Sequence, residues 1–453
     1  METFTPDWEE WIDLNLRLGN CKKIMFQKSL DQGYSYNVLK NKIGIDYQVD
    51  ANHAANVEQV ALRVGQRIKA RNLDIYTIPG FLTSEECASV VALIQGEELL
   101  ESTTFNAANP NEKQVNSQRT SNTCYFQKDD PLIQLVDSRI CKTIGINNRF
   151  SEKIQGQKYT VGQEFKAHTD YFDPVVLKEN PGIQGQRTWT FMIYLNDVEE
   201  GGYTSFPYAY TSVKPRAGTA VIWNNRTAAR KENVFSTHCG MPIVAGEKYI
   251  LTKWFKETEI NFDMPNIVKE NDYLPVFHPI GFEKLRLPLR MLDALRDWVK
   301  GQSGDWVEEK VNRVGVEANM RSEHLDIHTA PKELVSDIEQ ELKTILTKWI
   351  EYKTELVHVA TYGVRNYLRG SSLGNHYDKP QSHIVSAIVH LGDTSDKPWE
   401  LYIEDHTFRP HGITMEYGDI VVYESATCLH GRPTPFEGDS FQNMYVHFKP
   451  VRW

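Results

Sequence analysis

The chain lacks several things that would have narrowed its class quickly. No apolar run approaches the ~18 residues of a membrane-spanning helix, so no membrane association is expected. The first residues, METFTPDWEEWIDLNL, lack a basic stretch followed by an apolar core, which argues against a secretory leader. Cysteine is sparse: the six at 21, 87, 124, 141, 239 and 428 form no CxxC pair, which excludes a zinc ribbon or a thioredoxin-type motif. Excess positive charge is absent too. The formal charge of −10 argues against non-specific nucleic-acid binding. These absences lead to the expectation of a cytoplasmic protein with reduced thiols.

What remains is ordinary globular composition, 40% hydrophobic and 24% charged, in 453 residues, enough for two or three domains. Within it a pattern occurs twice. Tyr159, Gly162, His168 and Asp170 lie in KYTVGQEFKAHTD, and Tyr367, Gly370, His376 and Asp378 lie in NYLRGSSLGNHYD at identical spacing. Each copy is followed by a second histidine and a glycine at equal distance, His238 with Gly246 and His430 with Gly438. Self-similarity of this range points to one fold used twice. Two histidines and one carboxylate form the ligand set of a non-heme Fe(II) oxygenase.

In chain order, residues 1–70 read as a small helical region, with Trp8, Trp11, Ile12 and Leu16 at helical spacing. A strand in LDIYTIPGF precedes a helix opened by Thr83 and Glu86 as a capping box, with Val90, Val91 and Ile94 as its apolar stripe. Asn106 to Asn122 reads as a loop carrying Arg119, Thr120 and Ser121. TWTFMIYLND alternates as a strand, Trp189, Phe191, Ile193 and Leu195 on one side, Thr190, Met192 and Tyr194 on the other. Strands in GTAVIWNN and EKYILTKWF follow. Residues 258–290, rich in Asn, Asp and Pro, read as a linker. A helix in RLPLRMLDALRDWV and one after Pro331, lined by Val335, Ile338, Leu342, Ile345 and Trp349, then lead into a second set of strands. The expected class is mainly β with flanking helices (α+β), with domains at 71–257 and 291–453.

In the first half, His168 and Asp170 sit two apart, so on a strand both face one way, and His238 would join them from a neighbouring strand. An isolated HxD arises often by chance. The context adds weight: Lys248 shares a mostly apolar face with Ile250, Thr252 and Trp254, where a lone cation needs an anionic partner such as the distal carboxylate of a 2-oxo acid. Tyr159 is placed to add a hydroxyl.

Residues from about Ile75 to Phe255 resemble the prolyl 4-hydroxylase family of Fe(II)/2-oxoglutarate dioxygenases. The resemblance rests on FLTSEEC, Arg119-Thr120-Ser121, YTVGQEFKAHTDYFDP, RTWTFMIYLNDVEEGGYTSFP, VKPRAGTAVIWNN and HCGMPIVAGEKYILTKWF. It implies a double-stranded β-helix (jelly-roll) fold, and with the repeat the expectation is two such domains in tandem. It implies Fe(II) at His168, Asp170 and His238, and 2-oxoglutarate at Lys248 and Tyr159 with Trp254 lining the pocket. It also allows ascorbate as a further cofactor. The activity it implies is hydroxylation of an unactivated C–H in a peptide or protein, with succinate and CO2 as co-products. Arg119 is a candidate substrate contact, set against a surface arginine that steadies a loop. Tyr203 departs from the family's GGETxFP, where Glu is usual, and is expected to alter the pocket edge.

The second half repeats the ligands as His376, Asp378 and His430, and Tyr367 repeats Tyr159. The basic residue does not repeat: ten after His430 stands Ser440. Arg432, Arg365 and His447 are candidate substitutes, Arg432 able to offer a bidentate fork. His383 falls outside the repeat. Rival readings are a hydroxylase of another residue or a free amino acid, a zinc hydrolase, which leaves Lys248 unexplained, and a peptide-binding module with both sites inactive.

Overall fold

The computed structural model describes residues 3–17, 25, 29, 32, 34, 36–44, 65–105, 113–114, 118–127, 129–179, 183, 185–227, 231–260, 274, 276–302, 304–309 and 318–451. The chain forms two compact units, one of Thr5–Phe26 with Ile43–Glu270, the other of Met1–Phe4, Gln27–Lys42 and Asn271–Trp453. Of the described residues before 70, Thr5–Arg17 fall in the first unit and Tyr36–Lys42 in the second. Their longest described helix, Pro6–Arg17, is 12 residues, too short to hold itself without a larger core. Cys21 lies outside the described residues.

The first unit is built on an eight-stranded antiparallel sheet. Its order is Gln66–Arg67, Ile75–Ile78, Ala220–Asn224, Arg187–Tyr194, Lys248–Lys256, Gln155–Tyr159, Asn122–Tyr125 and Leu100–Glu101. A four-stranded sheet runs Thr211–Val213, Thr204–Phe206, His238–Gly240 and Phe165–His168. The loop expected up to Asn122 ends in a strand, and Thr104–Phe105 pairs with Lys113–Gln114; residues between them lie outside the described set.

The alternation in TWTFMIYL separates two cores. Trp189, Phe191 and Ile193 join Val90, Ile94, Val136 and Ile140 from helices Ser84–Gly96 and Pro131–Ile144. Met192 and Tyr194 join Tyr159, Phe206, Trp223 and Ile250 on the other face. Both faces of the strand are therefore covered, as its apolar character requires. The capping box forms as expected: Thr83 Oγ1 accepts from Glu86 N at 3.1 Å and Glu86 Oε2 accepts from Thr83 N at 2.9 Å. The same carboxylate takes both ends of the buried Arg139 guanidinium, at 2.9 and 2.8 Å, joining the two helices.

The second unit has a seven-stranded sheet, in the order Phe282–Arg286, Asp419–Tyr423, Val385–Ser395, Gly438–Pro450, Leu356–Tyr367, Ser322–Leu325 and Val307–Glu308. A five-stranded sheet runs Ala318–Asn319, Ser372–His376, His430–Arg432, Leu401–Glu404 and Pro410–Ile413. The linker expected at 258–290 is corrected at its end. Phe282–Arg286 is an edge strand paired with Asp419–Tyr423, and a helix follows over Leu289–Gly301. FEKLR has no apolar alternation because its exposed edge position does not demand one. The long helix, Lys332–Trp349, buries Ile338, Leu342, Leu346 and Trp349; Leu346 takes the place expected for Ile345.

Candidate metal centre and its pocket

His168 ends its strand and pairs in register with His238, the first residue of the adjacent strand. Asp170 lies in the bend just beyond, so the shared face comes from strand end plus turn and not from a continuous strand. One ligand atom from each of His168, Asp170 and His238 lies within 4.8 Å of the others. His168 Nε2 is 4.0 Å from Asp170 Oδ1, and His238 Nε2 is 3.7 Å from Asp170 Oδ2.

The other ring nitrogens fix the tautomers. Nδ1 of His168 lies 2.7 Å from the carbonyl of Lys166, and Nδ1 of His238 lies 2.9 Å from that of Ser236. A carbonyl only accepts, so each Nδ1 carries the hydrogen and each Nε2 turns a lone pair inward. Burial, with the neighbouring His238, depresses the His168 pKa to about 3, so its imidazole is neutral at ordinary pH. Asp170 is buried, yet its carboxyl is held below the usual range. Burial acts to raise it, and the facing His238 and His168, Arg187 and the Thr190 hydroxyl outweigh that.

Around these three residues is a half-open cavity lined by Arg119, Tyr159, Lys248, Thr252, Trp254 and other residues of both sheets. Lys248 and Tyr159 face each other in the ladder, and the ammonium stands 5.2 Å from the Tyr159 ring centre. Lys248 is 2% exposed. Its Nζ donates to the Gly202 carbonyl at 2.7 Å, and no carboxylate lies within 4 Å of it among the described residues. Burial lowers its pKa to about 7. Trp223 Nε1 and Trp254 Nε1, both on the cavity wall, are buried donors without a hydrogen-bond partner among the described residues. A cation and two idle donors beside two imidazoles and a carboxylate fit a divalent metal carrying an anionic chelator.

Arg119 also lines the cavity. Its guanidinium lies 5.0 Å from the Phe165 ring centre and donates to Ser121 Oγ at 3.2 Å. Tyr203 is exposed and is not on the cavity wall, which corrects the expectation that it shapes the pocket edge; its neighbour Thr204 is the lining residue. Three residues escaped the sequence reading. Thr190 Oγ1 donates to Asp170 Oδ2 at 2.7 Å, and Asn225 Nδ2 donates to Thr190 Oγ1 at 2.9 Å. Arg187 lies 4.1 Å from the Trp254 ring centre and is held by both oxygens of Glu152, at 2.6 and 2.7 Å. The alternation already placed Thr190 on the Met192 face, but nothing in a lone threonine marks it as a partner of a carboxylate.

In the second unit His376, Asp378 and His430 also converge within 4.8 Å, and His376 pairs in register with His430. Nδ1 of His376 is 2.9 Å from the Gly374 carbonyl, and Nδ1 of His430 is 2.9 Å from that of Cys428, again leaving Nε2 inward. His383 stacks near His447, ring centres 4.1 Å apart, and is not in the ligand cluster. Arg365 is tied to Glu309 through both guanidinium ends. Ser440 is not the counterpart of Lys248. The residue facing Tyr367 in the ladder, as Lys248 faces Tyr159, is Phe441. The spacing count fails by one: Phe441 stands eleven residues after His430 where Lys248 stands ten after His238, and it lies three residues into its strand where Lys248 begins its own.

Residues 154–256 match the family model of the 2OG-Fe(II) oxygenase superfamily. That stretch contains Tyr159, His168, Asp170, His238, Lys248 and Trp254. The chain is similar to prolyl 4-hydroxylase subunit alpha-2 of Gallus gallus, 31% identical over 156 residues, covering 33% of this chain and 28% of that protein. It is similar to prolyl 4-hydroxylase 2 of Arabidopsis thaliana, 30% identical over 201 residues, covering 40% of this chain and 66% of that protein. The chain thus spans less than two thirds of the length of these relatives. Among solved structures, the 2OG complex of viral collagen prolyl hydroxylase from Paramecium bursaria Chlorella virus-1 is 24% identical. It covers 41% of this chain and 95% of its own, with a TM-score of 0.31. The first unit therefore carries a region resembling prolyl 4-hydroxylases within the 2OG-Fe(II) oxygenase superfamily. Among the described residues no helix is long and apolar enough to cross a membrane.

Proposed function

We propose that the first unit is an Fe(II)/2-oxoglutarate-dependent dioxygenase that hydroxylates a prolyl residue in a peptide or protein. The observation that carries this reading is the pairing of the His168, Asp170 and His238 cluster with a buried ammonium, Lys248, that has no carboxylate within 4 Å among the described residues. The zinc-hydrolase rival offers no use for that cation. The prolyl assignment is supported by the relatives' names and by the matched motifs.

In this reading Nε2 of His168 and His238 and the Asp170 carboxylate hold the metal, and Lys248 with Tyr159 holds the distal carboxylate of 2-oxoglutarate. When bound, the metal and 2-oxoglutarate supply the oxidising chemistry, turning O2 and the keto acid into succinate, CO2 and a hydroxylated C–H. The chain's own residues orient and shield. The Thr190 hydroxyl fixes one Asp170 oxygen. Ile250, Met192 and Trp223 present apolar walls that keep water from the reacting carbon. Arg119 and Trp254 line the cavity, Trp254 beside the co-substrate and Arg119 as the candidate substrate contact. Both units are proposed as double-stranded β-helix domains, the second over residues 291–453 preceded by its edge strand.

The experiment is succinate formation from 2-oxoglutarate with Fe(II), ascorbate, O2 and a proline-rich peptide, with mass spectrometry locating the added oxygen. His168→Ala is expected to abolish turnover. No succinate with any peptide, or turnover that survives His168→Ala, would end the proposal. Oxygen added to another residue, or to a free amino acid, would redirect the substrate and keep the chemistry.

A further inference from the structure

The second unit has lost the lysine of the first, yet it places a cation at the same point by another route. The ladders give the correspondence. Thr204 pairs with Gly240, and Gly202 precedes Thr204 by two. In the second unit Tyr402 pairs with Gly431. One step along that antiparallel ladder puts Leu401 opposite Arg432, so Trp399, two before it, corresponds to Gly202. The opposite neighbours agree: Gly240 pairs with Phe165, and Arg432 with Leu373, each three residues before its own histidine, His168 or His376.

Lys248 donates to the carbonyl of Gly202. Arg432 donates to the carbonyl of Trp399, the corresponding residue. In the first unit a Cβ on Gly240 would lie 3.9 Å from Lys248 Nζ. A side chain growing from that position therefore points at the ammonium's place. Phe441 fills the strand position of Lys248, and its ring lies 4.6 Å from the Arg432 guanidinium, with the Trp399 ring at 4.7 Å. The cation has moved from the last strand to the strand of the distal histidine, and an aromatic ring packs where it used to begin.

Arg432 is 2% exposed, and no carboxylate lies within 4 Å of it among the described residues. A guanidinium keeps its charge and offers five donors. Here a backbone carbonyl and the Met415 sulfur, at 3.7 Å, are its hydrogen-bond acceptors among the described residues. A buried charge so poorly matched calls for an anion. Arg365, the other arginine nearby, is already neutralised by Glu309. The support behind the ligands is also present in altered form. Ser386 and Ser425 hold the register positions of Thr190 and Asn225, and their hydroxyl oxygens lie 2.7 Å apart. Ser386 Oγ also lies 2.7 Å from Nδ1 of His447, whose ring approaches Asp378 Oδ2 to 3.8 Å.

We infer that His376, Asp378 and His430 form a second divalent-metal site, and that Arg432 anchors the carboxylate of a 2-oxo acid beside it. The ligand class rests on the reading of the first site; the placement of the cation does not. The test counts bound ligands on the full chain, with Mn(II) as the metal probe and labelled 2-oxoglutarate in equilibrium dialysis. The parent is expected to bind two of each per chain. At a 2-oxoglutarate concentration that just fills the parent's sites, Lys248→Met should keep two Mn(II) and about one 2-oxoglutarate, the weakened first site standing mostly empty. Adding Arg432→Met should remove that remaining 2-oxoglutarate, with two Mn(II) retained as the sign of an intact fold. Adding Phe441→Lys to that protein restores a cation at the first unit's strand position and should return binding. One 2-oxoglutarate per chain in the parent at saturation overturns the inference. So does residual binding in Lys248→Met that survives Arg432→Met. A count of one would leave turnover at His168 untouched, so the two readings fail separately.

Discussion

Asp170 and Thr190 meet through a hydrogen bond of 2.7 Å from the threonine hydroxyl to Oδ2, and Asn225 holds that hydroxyl from behind. The bond leaves Oδ1 as the carboxylate oxygen turned toward His168, at 4.0 Å. Thr190→Val removes the donor and keeps the shape of the side chain. Metal affinity of the first site is expected to fall by roughly 10–100-fold, as for other partners of ligating groups. Titration with Mn(II) checks this. Affinity equal to that of the parent would show that the hydroxyl does not orient the carboxylate.

Lys248 gives two opposite pH trends. Burial lowers its pKa to about 7 in the free protein, whereas in an unfolded chain a lysine titrates near ~10.4. Between those values the unfolded chain holds a proton that the folded one lacks, so this group raises stability as pH rises from 7 toward 10. Carboxylate binding needs the ammonium, so 2-oxoglutarate affinity of the first site should fall as pH rises above 7. Calorimetry at pH 6.5 and 8.5, with urea unfolding alongside, reads both. Lys248→Met should flatten both trends and weaken 2-oxoglutarate at this site by roughly 10–100-fold, the loss of one charge-assisted bond.

The capping box offers a graded stability test. Thr83→Ala removes one cap bond and should cost about 0.5–2 kcal/mol. Glu86→Ala removes the other cap bond and also strands the Arg139 guanidinium, whose side chain is 1% exposed. That cost should reach about 3–5 kcal/mol. Urea midpoints of the two variants give the order; equal losses would mean the buried pair contributes nothing beyond the cap.

Arg119 stands at the cavity wall stacked on Phe165, away from Lys248's strand. Arg119→Ala is expected to raise KM for a peptide substrate by about tenfold while 2-oxoglutarate binding stays unchanged, as loss of a uniform substrate contact does. A change in 2-oxoglutarate affinity alone would place Arg119 on the co-substrate side.

The sequence by itself picked out both clusters of potential metal-binding side chains. The repeated spacing of Tyr, Gly, His and Asp, each with a distal histidine, singled out all six residues that the structure gathers into the two clusters, because a repeat of donor-bearing side chains at fixed spacing is visible along the chain. Alternation in TWTFMIYL and EKYILTKWF likewise told which side chains share a face, since period 2 is a local property of the backbone. Only the tertiary structure decided which distant strands lie together. Thr190 and Asn225 meet Asp170 through pairings between strands, and the edge strand Phe282–Arg286 owes its existence to Asp419–Tyr423. The cation of the second unit shows the same division. Counting residues from His430 pointed to Ser440, but the ladder places Phe441 opposite Tyr367, and Arg432, on a different strand, stands at the carbonyl of Trp399. Spacing along one chain cannot report a point in space that two different strands are able to reach.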